Sequence, residues 1–303
     1  MMNSFDLESA AFADNPYNNA LRQAELWEEA KPEAAQLLKK IGSVPTAYWL
    51  TGHTDDVRTA VASYAEAASQ QDKLPVTALY NIPERDKGEH SAGGVDGAVA
   101  YDAWIGSVAE GLGDRPALVI LEPDSLAQAD RFTPEEQAGR YQMLARAVTV
   151  LATQTQARVY LDAGHPGWHP APVMAGRLER AGIERASGFS LNVSNFQTTA
   201  DNVRYGHELS SLLGGKHFTI DTSRNGNGPS PDSAWCNPSG RALGELPALN
   251  PAPGEPLLDA YLWVKIPGES DGAEGQPIDG TLPPAAGSWW PEYALQLAKN
   301  AGW

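Results

Sequence analysis

The chain has 303 residues, of which 42% are hydrophobic, and this size and balance predict one domain large enough to bury a catalytic core. Its formal net charge of −16 argues against binding to nucleic acid or to an anionic membrane surface, because both favour basic patches. No apolar run is long enough to span a membrane, and residues 1–10 lack the basic start and apolar stretch of a signal peptide, so we expect that a signal peptide has been removed.

Apolar runs and helical patterns alternate along the chain after a lead-in over residues 1–15. The runs predict seven strands: Thr46–Leu50, Pro75–Tyr80, Pro116–Asp124, Ala157–Leu161, Gly188–Val193, His217–Ile220 and Tyr261–Ile266. The predicted helices are a segment that ends at Leu38, Asp55–Ala68, Gly97–Leu112, Thr133–Ala152, Ala171–Ala181, Thr199–Leu213 and Pro291–Ala301. Thr54 is the expected cap of the second helix. Thr133 and Glu136, with Pro134 between them, have the spacing of a capping box.

Helices separate almost all of the seven strands, and no change of composition marks a second domain within residues 1–303. This order predicts an α/β fold, in which one parallel layer closes, or nearly closes, into a seven-stranded (β/α) barrel like the TIM barrel. A doubly wound open sheet is the alternative. It would place a Gly-rich phosphate-binding loop after the first strand, and the residues around Trp49 do not form one.

The carboxyl ends of the predicted strands carry many acidic and aromatic residues. Pro123 stops the third strand, so Asp124 is displayed just beyond its end. The other strand ends carry Trp49, Tyr80 with Asp86, Asp162, Asn192, Asp221, and Lys265 with Asp271. Because carboxylates bind hydroxyl groups and indoles cover sugar ring faces, this rim predicts a carbohydrate site. Capping of turns could explain one such acid, but it explains poorly so many on one rim.

Three other motifs compete with this interpretation. Gly268–Gly272 matches the nucleophile elbow of serine hydrolases, but no helix pattern follows it and the last histidine, His217, precedes it. His165 and His169 are four residues apart, yet the glycines and prolines around them forbid the helix that would place both on one metal. Cys236 is the only cysteine, and a half-buried free thiol is expected. We therefore predict neither a metal nor a cofactor.

Eight segments resemble those of family 6 of the glycoside hydrolases, the inverting β-1,4-glucanases or cellulases. These segments are NPYNNA, YNIPERD, VILEPDSL, VYLDAGHPGW, GFSLNVSNF, IDTSRNGNGP, WCNPSGR and YLWVKIPGESDG. They run from Asn15 to Gly272 in the order of the family. The resemblance implies a distorted barrel of fewer than eight strands, in agreement with the seven strands counted above. Many secreted relatives have cysteines where this chain has Lys87 and Ala273, so Cys236 lacks the partner that the family pattern implies.

The resemblance also implies roles for individual residues. Asp124 is similar to the general acid, and Asp162 to the neighbour that keeps it protonated. Asp86 is similar to a carboxylate that influences the pKa of the acid and joins a water relay. Asp271 is similar to the residue often proposed as the base, and Tyr80 to the tyrosine that forces the reacting sugar out of its chair. The implied sugar contacts are Trp49, Trp168 and Trp235 as platforms, and Lys265, Glu269, His165, Asn192 and Arg85 as polar groups, with Ser91 holding the water.

The identity of the base stays open at this point, because Asp86 and Asp271 both follow strand ends. A salt bridge to Lys265 would lower the pKa and the basicity of Asp271. Asp86 has only Arg85 and Lys87 beside it in sequence, and these side chains are expected to point to solvent. We therefore predict a water relay from Asp86, by way of Ser91.

The resemblance implies endo-acting, inverting hydrolysis of β-1,4-glucosidic bonds in cellulose and related β-glucans by a secreted monomer. In tunnel-forming relatives long insertions roof the site, whereas residues 87–96 and 272–287 are short here, so we expect an open cleft and internal cutting. An exo-acting cellobiohydrolase is one alternative. A catalytically silent carbohydrate-binding protein on the same fold is another, but it would lack one of the four acids, and all four are present.

Overall fold

The structure is a computed structural model that describes residues 10–303, so residues 1–9 of the predicted lead-in lie outside the described chain. The described residues form the strands β1 Ala11–Phe12, β2 Tyr48–Leu50, β3 Lys73–Leu74, β4 Val76–Leu79, β5 Pro116–Leu121, β6 Gln156–Asp162, β7 Gly188–Leu191, β8 His217–Asp221, β9 Ala248–Leu249 and β10 Leu258–Leu262. The helices are α1 Asn19–Trp27, α2 Pro32–Gly42, α3 Val57–Ser69, α4 Gly97–Leu112, α5 Pro134–Gln154, α6 Ala171–Arg180, α7 Thr199–Leu212 and α8 Pro291–Asn300. None of these helices has the length and apolarity that crossing a membrane requires.

Seven parallel strands form the central sheet, in the order β2-β4-β5-β6-β7-β8-β10. The short strand β9 pairs antiparallel with β10 at one edge, and β1 pairs with β3 in a separate ribbon. Helices follow most of the strands and cover the outside of the curled sheet, as right-handed crossovers require. The predicted α/β fold with seven parallel strands is confirmed, and β9 and the ribbon are additions to it.

The barrel is distorted because its two outer parallel strands, β2 and β10, are not joined by a ladder within residues 10–303. Two hydrogen bonds cross this gap just beyond β10. The backbone N–H of Ala47 donates to the carbonyl of Trp263 at 2.9 Å. The indole N–H of Trp49 donates to the carbonyl of Val264 at 2.7 Å. The seam therefore also fixes the indole of Trp49 at the mouth of the barrel.

Both faces of the parallel strands are buried, which explains their continuous apolar sequences. Along β5, Leu118 and Ile120 pack in the interior cluster with Tyr160 of β6. The alternate residues Val119 and Leu121 pack in the cluster that includes the surrounding helices. All of these side chains are buried. The chain stays buried from Ala117 to Pro123, and Asp124 is the first residue after the strand that is partly exposed.

The predicted capping box of α5 is confirmed, whereas two other helix predictions are wrong. Thr133 Oγ1 accepts from Glu136 N–H at 3.3 Å, and Glu136 Oε2 accepts from Thr133 N–H at 2.7 Å. Asp56, not Thr54, caps α3 by accepting from the third residue of the helix. The segment that was predicted as one helix ending at Leu38 is two helices, because Pro32 lacks the N–H that would continue α1 and instead begins α2.

The last parallel strand, β10, ends at Leu262 and not at Ile266 as predicted. The cause is the carboxylate of Asp221 at the end of β8. Its oxygens accept from Val264 N–H at 3.3 Å and from Lys265 N–H at 2.9 Å, and these two donors are then unavailable to a strand ladder. The chain therefore bends away from the sheet at Trp263 and carries Lys265 toward the carboxyl ends of the strands.

Candidate active site

A cleft of about 950 Å³ lies at the carboxyl ends of the parallel strands. Every predicted site residue except Asp162 and Asn192 lines it. Its walls come from the segments that follow β2, β4, β5, β6, β7, β8 and β10, so residues distant in sequence meet there. Of the predicted rim, Trp49, Tyr80, Asp86, Asp124, Lys265 and Asp271 line the cleft, whereas Asp162, Asn192 and Asp221 are buried and do not line it.

Left-handed backbone conformations turn the chain sharply where the strands end. Asp124 has a φ of 67° and Glu122 a φ of 51°, on either side of Pro123. Such values are uncommon for residues other than glycine and persist where the surroundings hold them. The buried carboxylate of Glu122 supplies one restraint, because it accepts from the backbone N–H groups of Asn81 and Ile82 at 3.0 and 3.1 Å. This pins β5 to the end of β4 and directs Asp124 into the cleft.

Asp162 is buried next to Asp124 and contacts its backbone. Asp162 is 1% exposed, and its Oδ2 accepts from the backbone N–H groups of Asp124 at 2.9 Å and Gly164 at 3.2 Å. Burial raises the pKa of Asp162 to about 7, against the effect of these donors. Burial, and then the charges of Asp162 and Asp86, raise the pKa of Asp124 well above its usual range. Asp124 can therefore stay protonated where an exposed aspartate is ionised, as a general acid requires.

Asp86 is held by two uncharged donors. Its Oδ2 accepts from the backbone N–H of Ser91 at 2.9 Å, and its Oδ1 accepts from Gln128 Nε2 at 2.7 Å. Ser91 was predicted to hold the water, and its contact with Asp86 is made by its backbone N–H. Arg85 does not point to solvent as predicted, because its guanidinium lies 4.6 Å from the ring centre of Tyr80 and Nε donates to Ser91 O at 3.0 Å.

Asp271 lies in a strongly positive environment. Arg224 Nη1 lies 2.9 Å from Oδ2, and Lys265 Nζ lies 3.6 Å from Oδ1. The backbone N–H of Asn237 donates to Oδ2 at 3.0 Å. Burial by itself would raise the pKa of Asp271, but Arg224 and Lys265 outweigh it and lower the pKa. The predicted ion pair with Lys265 is thus present, and Arg224 adds a second cation that the prediction did not include.

Three tryptophans line the cleft at separate points. Trp49 packs its edge against Tyr80, with ring centres 5.4 Å apart. The ring centres of Trp168 and His165 are 5.5 Å apart, and Trp235 is 48% exposed. Burial lowers the pKa of His165 to about 4, so its imidazole is neutral near pH 7 and can accept a hydrogen bond. Indoles at the surface of a cleft, whether exposed like Trp235 or half-buried like Trp49 and Trp168, can offer apolar faces to sugar rings.

Asn192 does not line the cleft, which corrects the predicted sugar contact. Its side chain is buried beneath the rim, where Nδ2 donates to Asp221 O at 2.8 Å and Oδ1 accepts from Gln197 N–H at 3.0 Å. These bonds hold the loop over residues 194–197, which itself lines the cleft. Asn192 therefore shapes the wall and leaves contact with the cleft to its neighbours.

The motifs that competed with the carbohydrate interpretation have structural explanations. Ser270 is fully buried, and its hydroxyl lies 2.8 Å from Pro284 O and accepts from Gly272 N–H at 3.1 Å, so it anchors a loop. His169 Nε2 lies 2.7 Å from Ala127 O. Among residues 10–303, no three His, Cys, Asp or Glu side chains gather where they could hold a metal ion. Cys236 is a partly buried free thiol.

Comparison with known proteins identifies the family. The model for glycosyl hydrolases family 6 matches residues 7–301. The chain belongs to this family. The family 6 chain is 47% identical over 281 residues to Endoglucanase A of Cellulomonas fimi, covering 91% of this chain and 59% of that protein's length. It is 42% identical to Endoglucanase 1 of Streptomyces halstedii, covering 94% and 88%.

A solved structure agrees with this assignment. The endoglucanase Cel6 of Mycobacterium tuberculosis, in complex with methyl-cellobiosyl-4-deoxy-4-thio-β-D-cellobioside, superposes with a TM-score of 0.90 at 44% identity. The match covers 98% of this family 6 chain and 99% of that one. The resemblance that the eight sequence segments indicated is therefore confirmed, together with its distorted barrel.

In this family 6 hydrolase, sequence reasoning missed three buried polar residues that organise the acids. Gln128 lies four residues after Asp124 and contacts Asp86. Arg224 belongs to the segment IDTSRNGNGP, where an arginine among small polar residues was the available signal. Asn237 directly follows Cys236, and its Oδ1 accepts from Asp271 N–H at 2.8 Å. Each contact joins segments that are far apart in sequence.

Proposed function

We propose that this family 6 hydrolase cleaves β-1,4-glucosidic bonds inside cellulose and related β-glucans with inversion at the anomeric carbon. The observation that carries the proposal is the raised pKa of Asp124, which burial and the nearby charges of Asp162 and Asp86 produce. A glycosidic bond breaks only slowly without a proton donor for its leaving oxygen. A carboxyl group kept protonated in an aromatic cleft supplies that proton.

In the proposed reaction Asp124 and Asp86 act on opposite faces of the sugar ring. Asp124 gives its proton to the glycosidic oxygen while the bond from that oxygen to the anomeric carbon breaks. A water molecule attacks the opposite face, and its proton passes through a second water to Asp86. Asp162 holds the peptide of Asp124 and keeps its carboxyl protonated. Tyr80 presses on the reacting sugar and favours a ring shape close to that of the transition state.

Asp271 is assigned a binding role in this scheme. A carboxylate whose pKa is lowered by Arg224 and Lys265 is a weak proton acceptor. Glu269 has the opposite character, because burial raises its pKa to about 7, so it can donate or accept hydrogen bonds with sugar hydroxyls. Trp49, Trp168 and Trp235 provide platforms for successive sugar rings, and His165, Lys265, Arg85 and Ser91 add polar contacts.

The preference for internal bonds is supported by the names of the relatives and by loop length. The similar proteins of Cellulomonas fimi and Streptomyces halstedii are endoglucanases by name, and the Mycobacterium tuberculosis endoglucanase was solved with a thio-linked cellobioside. The loops over residues 87–96 and 272–287 are short. We further propose that residues 1–303 act as one catalytic domain, as a monomer and outside the cell, because insoluble cellulose cannot enter a cell.

The test is hydrolysis of cellopentaose, followed by proton NMR during the first minutes. We expect new signals of the α-anomer before mutarotation, and a rate unchanged by EDTA. On soluble carboxymethyl cellulose, viscosity is expected to fall faster than reducing ends appear. An initial β-anomer would contradict inversion, and a slow fall of viscosity would favour the cellobiohydrolase alternative. Binding of cellopentaose without any hydrolysis would favour a silent binding protein.

A further inference from the structure

Gln128 connects the segment that carries Asp124 to the loop that carries Asp86. Its side-chain Nε2 donates to Asp86 Oδ1 at 2.7 Å. Its backbone N–H donates to the carbonyl of Asp124 at 2.8 Å. A single residue therefore contacts both acids that the proposed reaction uses, one through its side chain and the other through its main chain.

The amide of Gln128 is one of two neutral donors that hold Asp86, the other being the backbone N–H of Ser91. A donor aimed at a carboxylate oxygen favours the ionised form, which is the form that can take up a proton. It also limits rotation of the carboxylate, because each oxygen is held separately. The cations Arg224 and Lys265 contact Asp271. The charge of Asp86 is therefore not neutralised by these two cations, as that of Asp271 is.

The amide oxygen of Gln128 is a buried acceptor with no hydrogen-bond donor among residues 10–303. The residue is 5% exposed and lines the cleft. A buried acceptor without a donor is costly, so an amide at this position needs a compensating interaction, and the bond from Nε2 to Asp86 supplies one.

We propose that Gln128 is a positioning residue for the water-activating half of the reaction, which rests on the proposed function. Its side-chain Nε2 donates to Asp86 and fixes the carboxylate in the orientation that receives the proton from the relay water. The attacking water bonds through oxygen to the anomeric carbon and passes one proton to the relay water, which passes one of its own to Asp86. The bond to the leaving oxygen breaks as Asp124 protonates it, so protons and electrons balance without any change in Gln128.

The experiment compares Gln128→Leu with Gln137→Leu. Gln128→Leu removes the amide and keeps a side chain of similar volume. Gln137→Leu removes another part-buried amide, that of Gln137 on α5, which donates to Phe132 O at 2.9 Å. Both variants and the wild type are assayed across pH on cellopentaose and on a dinitrophenyl β-cellobioside. The dinitrophenyl leaving group needs no general acid, so it isolates the water-activating half of the reaction.

For Gln128→Leu we expect kcat to fall about tenfold or more on both substrates, with KM changed less than about threefold. Azide should raise the rate on the dinitrophenyl substrate, because a small anion can replace poorly activated water. Gln137→Leu should match the wild type.

A defect confined to cellopentaose would place Gln128 on the acid side and overturn the proposal. A Gln128→Leu variant that azide does not stimulate, or an equal loss in Gln137→Leu, would overturn it as well. If circular dichroism shows that Gln128→Leu does not fold, Gln128→Met must show the same fall in kcat and the same rescue by azide, because it keeps the length of the side chain but loses the amide. An inactive wild type would overturn the proposed function and this role together, whereas an active wild type with an unaltered variant overturns only the role of Gln128.

Discussion

Arg224 and Asp271 form an ion pair beneath the cleft, with Nη1 and Oδ2 2.9 Å apart and side-chain exposures of 0% and 7%. Lys265 approaches the second oxygen of Asp271. Removing one member of a buried pair costs about 3–5 kcal/mol, because the other charge is left without a partner. The pair therefore stabilises the loop around Asp271 and reduces its basicity at the same time.

The first prediction separates Asp86 from Asp271 as the group that activates water. On a dinitrophenyl β-cellobioside, azide should restore activity to Asp86→Ala and leave Asp271→Ala largely unrescued, because Asp271 is held by two cations and makes a poor base. The measurement is the rate as a function of azide concentration.

Thermal unfolding with and without azide serves as the control, because azide could also bind Arg224 in the space that Asp271→Ala leaves. Strong rescue of Asp271→Ala by azide, with none for Asp86→Ala and no change in melting temperature, would make Asp271 the base.

The contacts of Gln128 with Asp86 and of Arg224 with Asp271 could not be predicted from the sequence. The local pattern of β5 and Pro123 was enough to predict that Asp124 is displayed at a strand end. Gln128 and Asp86 are 42 residues apart, and Arg224 and Asp271 are 47 residues apart. Such contacts depend on how the loops fold over the barrel, and no periodicity or cap signal encodes them.

The strands likewise could be predicted from local sequence patterns, whereas the end of β10 and the direction of the Asn192 side chain depend on tertiary contacts. Continuous apolar runs predicted all seven parallel strands, because each is buried on both faces. The end of β10 was predicted too late, because the carboxylate of Asp221 takes the backbone donors of Val264 and Lys265. Asn192 was placed at the right strand end, yet its neighbours Asp221 and Gln197 turn its side chain away from the cleft.

The second prediction concerns the acid. Asp124→Asn should reduce hydrolysis of cellopentaose by roughly 10²- to 10⁴-fold, because the leaving oxygen loses its proton donor. Hydrolysis of the dinitrophenyl substrate should fall less than about tenfold, because that leaving group departs without a proton. Circular dichroism and cellopentaose binding serve as controls. A variant that folds, binds and still hydrolyses cellopentaose at the wild-type rate would exclude Asp124 as the acid.

The third prediction uses Asp162 to shift the pH profile. Its negative charge helps to raise the pKa of Asp124, so Asp162→Asn should lower that pKa. Asp124 must be protonated to act, and the alkaline limb of kcat should therefore move to lower pH by about one unit or more. An asparagine oxygen can still accept from Asp124 N–H, which preserves the local geometry. An alkaline limb that stays in place would show that Asp162 does not control protonation of Asp124.

The fourth prediction concerns stability and Glu269. Burial raises the pKa of Glu269 to about 7, so between its unfolded pKa and this value the folded state binds more protons than the unfolded state. The contribution of Glu269 to stability is therefore lost as pH rises toward 7. Glu269→Gln cannot ionise, and it should reduce the fall in unfolding free energy between pH 5 and pH 8 by up to about 3 kcal/mol.

Urea denaturation at both pH values gives this difference, with Glu135→Gln on the exposed face of α5 as the matched control. Parallel curves for Glu269→Gln and the wild type would contradict the prediction.

The last prediction concerns the contact between the two short loops beside the cleft. His90, from the loop of Asp86, packs against Gly272 so closely that a Cβ added there would overlap its ring. The His90 ring lies 5.9 Å from that of Trp235, and its Nε2 lies 3.5 Å from Glu274. The methyl group of Gly272→Ala should therefore displace His90 and push the two loops apart. We expect KM for cellohexaose to rise by roughly three- to tenfold, because the packing of His90 against residue 272 is lost.

A double-mutant cycle decides whether this contact is the cause. In a His90→Ala background the space for a methyl group is free, so adding Gly272→Ala should change KM little further. The backbone of Gly272 does not have a positive φ, so alanine itself is not strained there. Equal effects of Gly272→Ala in both backgrounds would mean that the loss arises at the neighbouring Asp271. If the effect of Gly272→Ala on KM depends on whether His90 is present, and kcat on the dinitrophenyl substrate is preserved, the contact between His90 and Gly272 sets the spacing of the two loops.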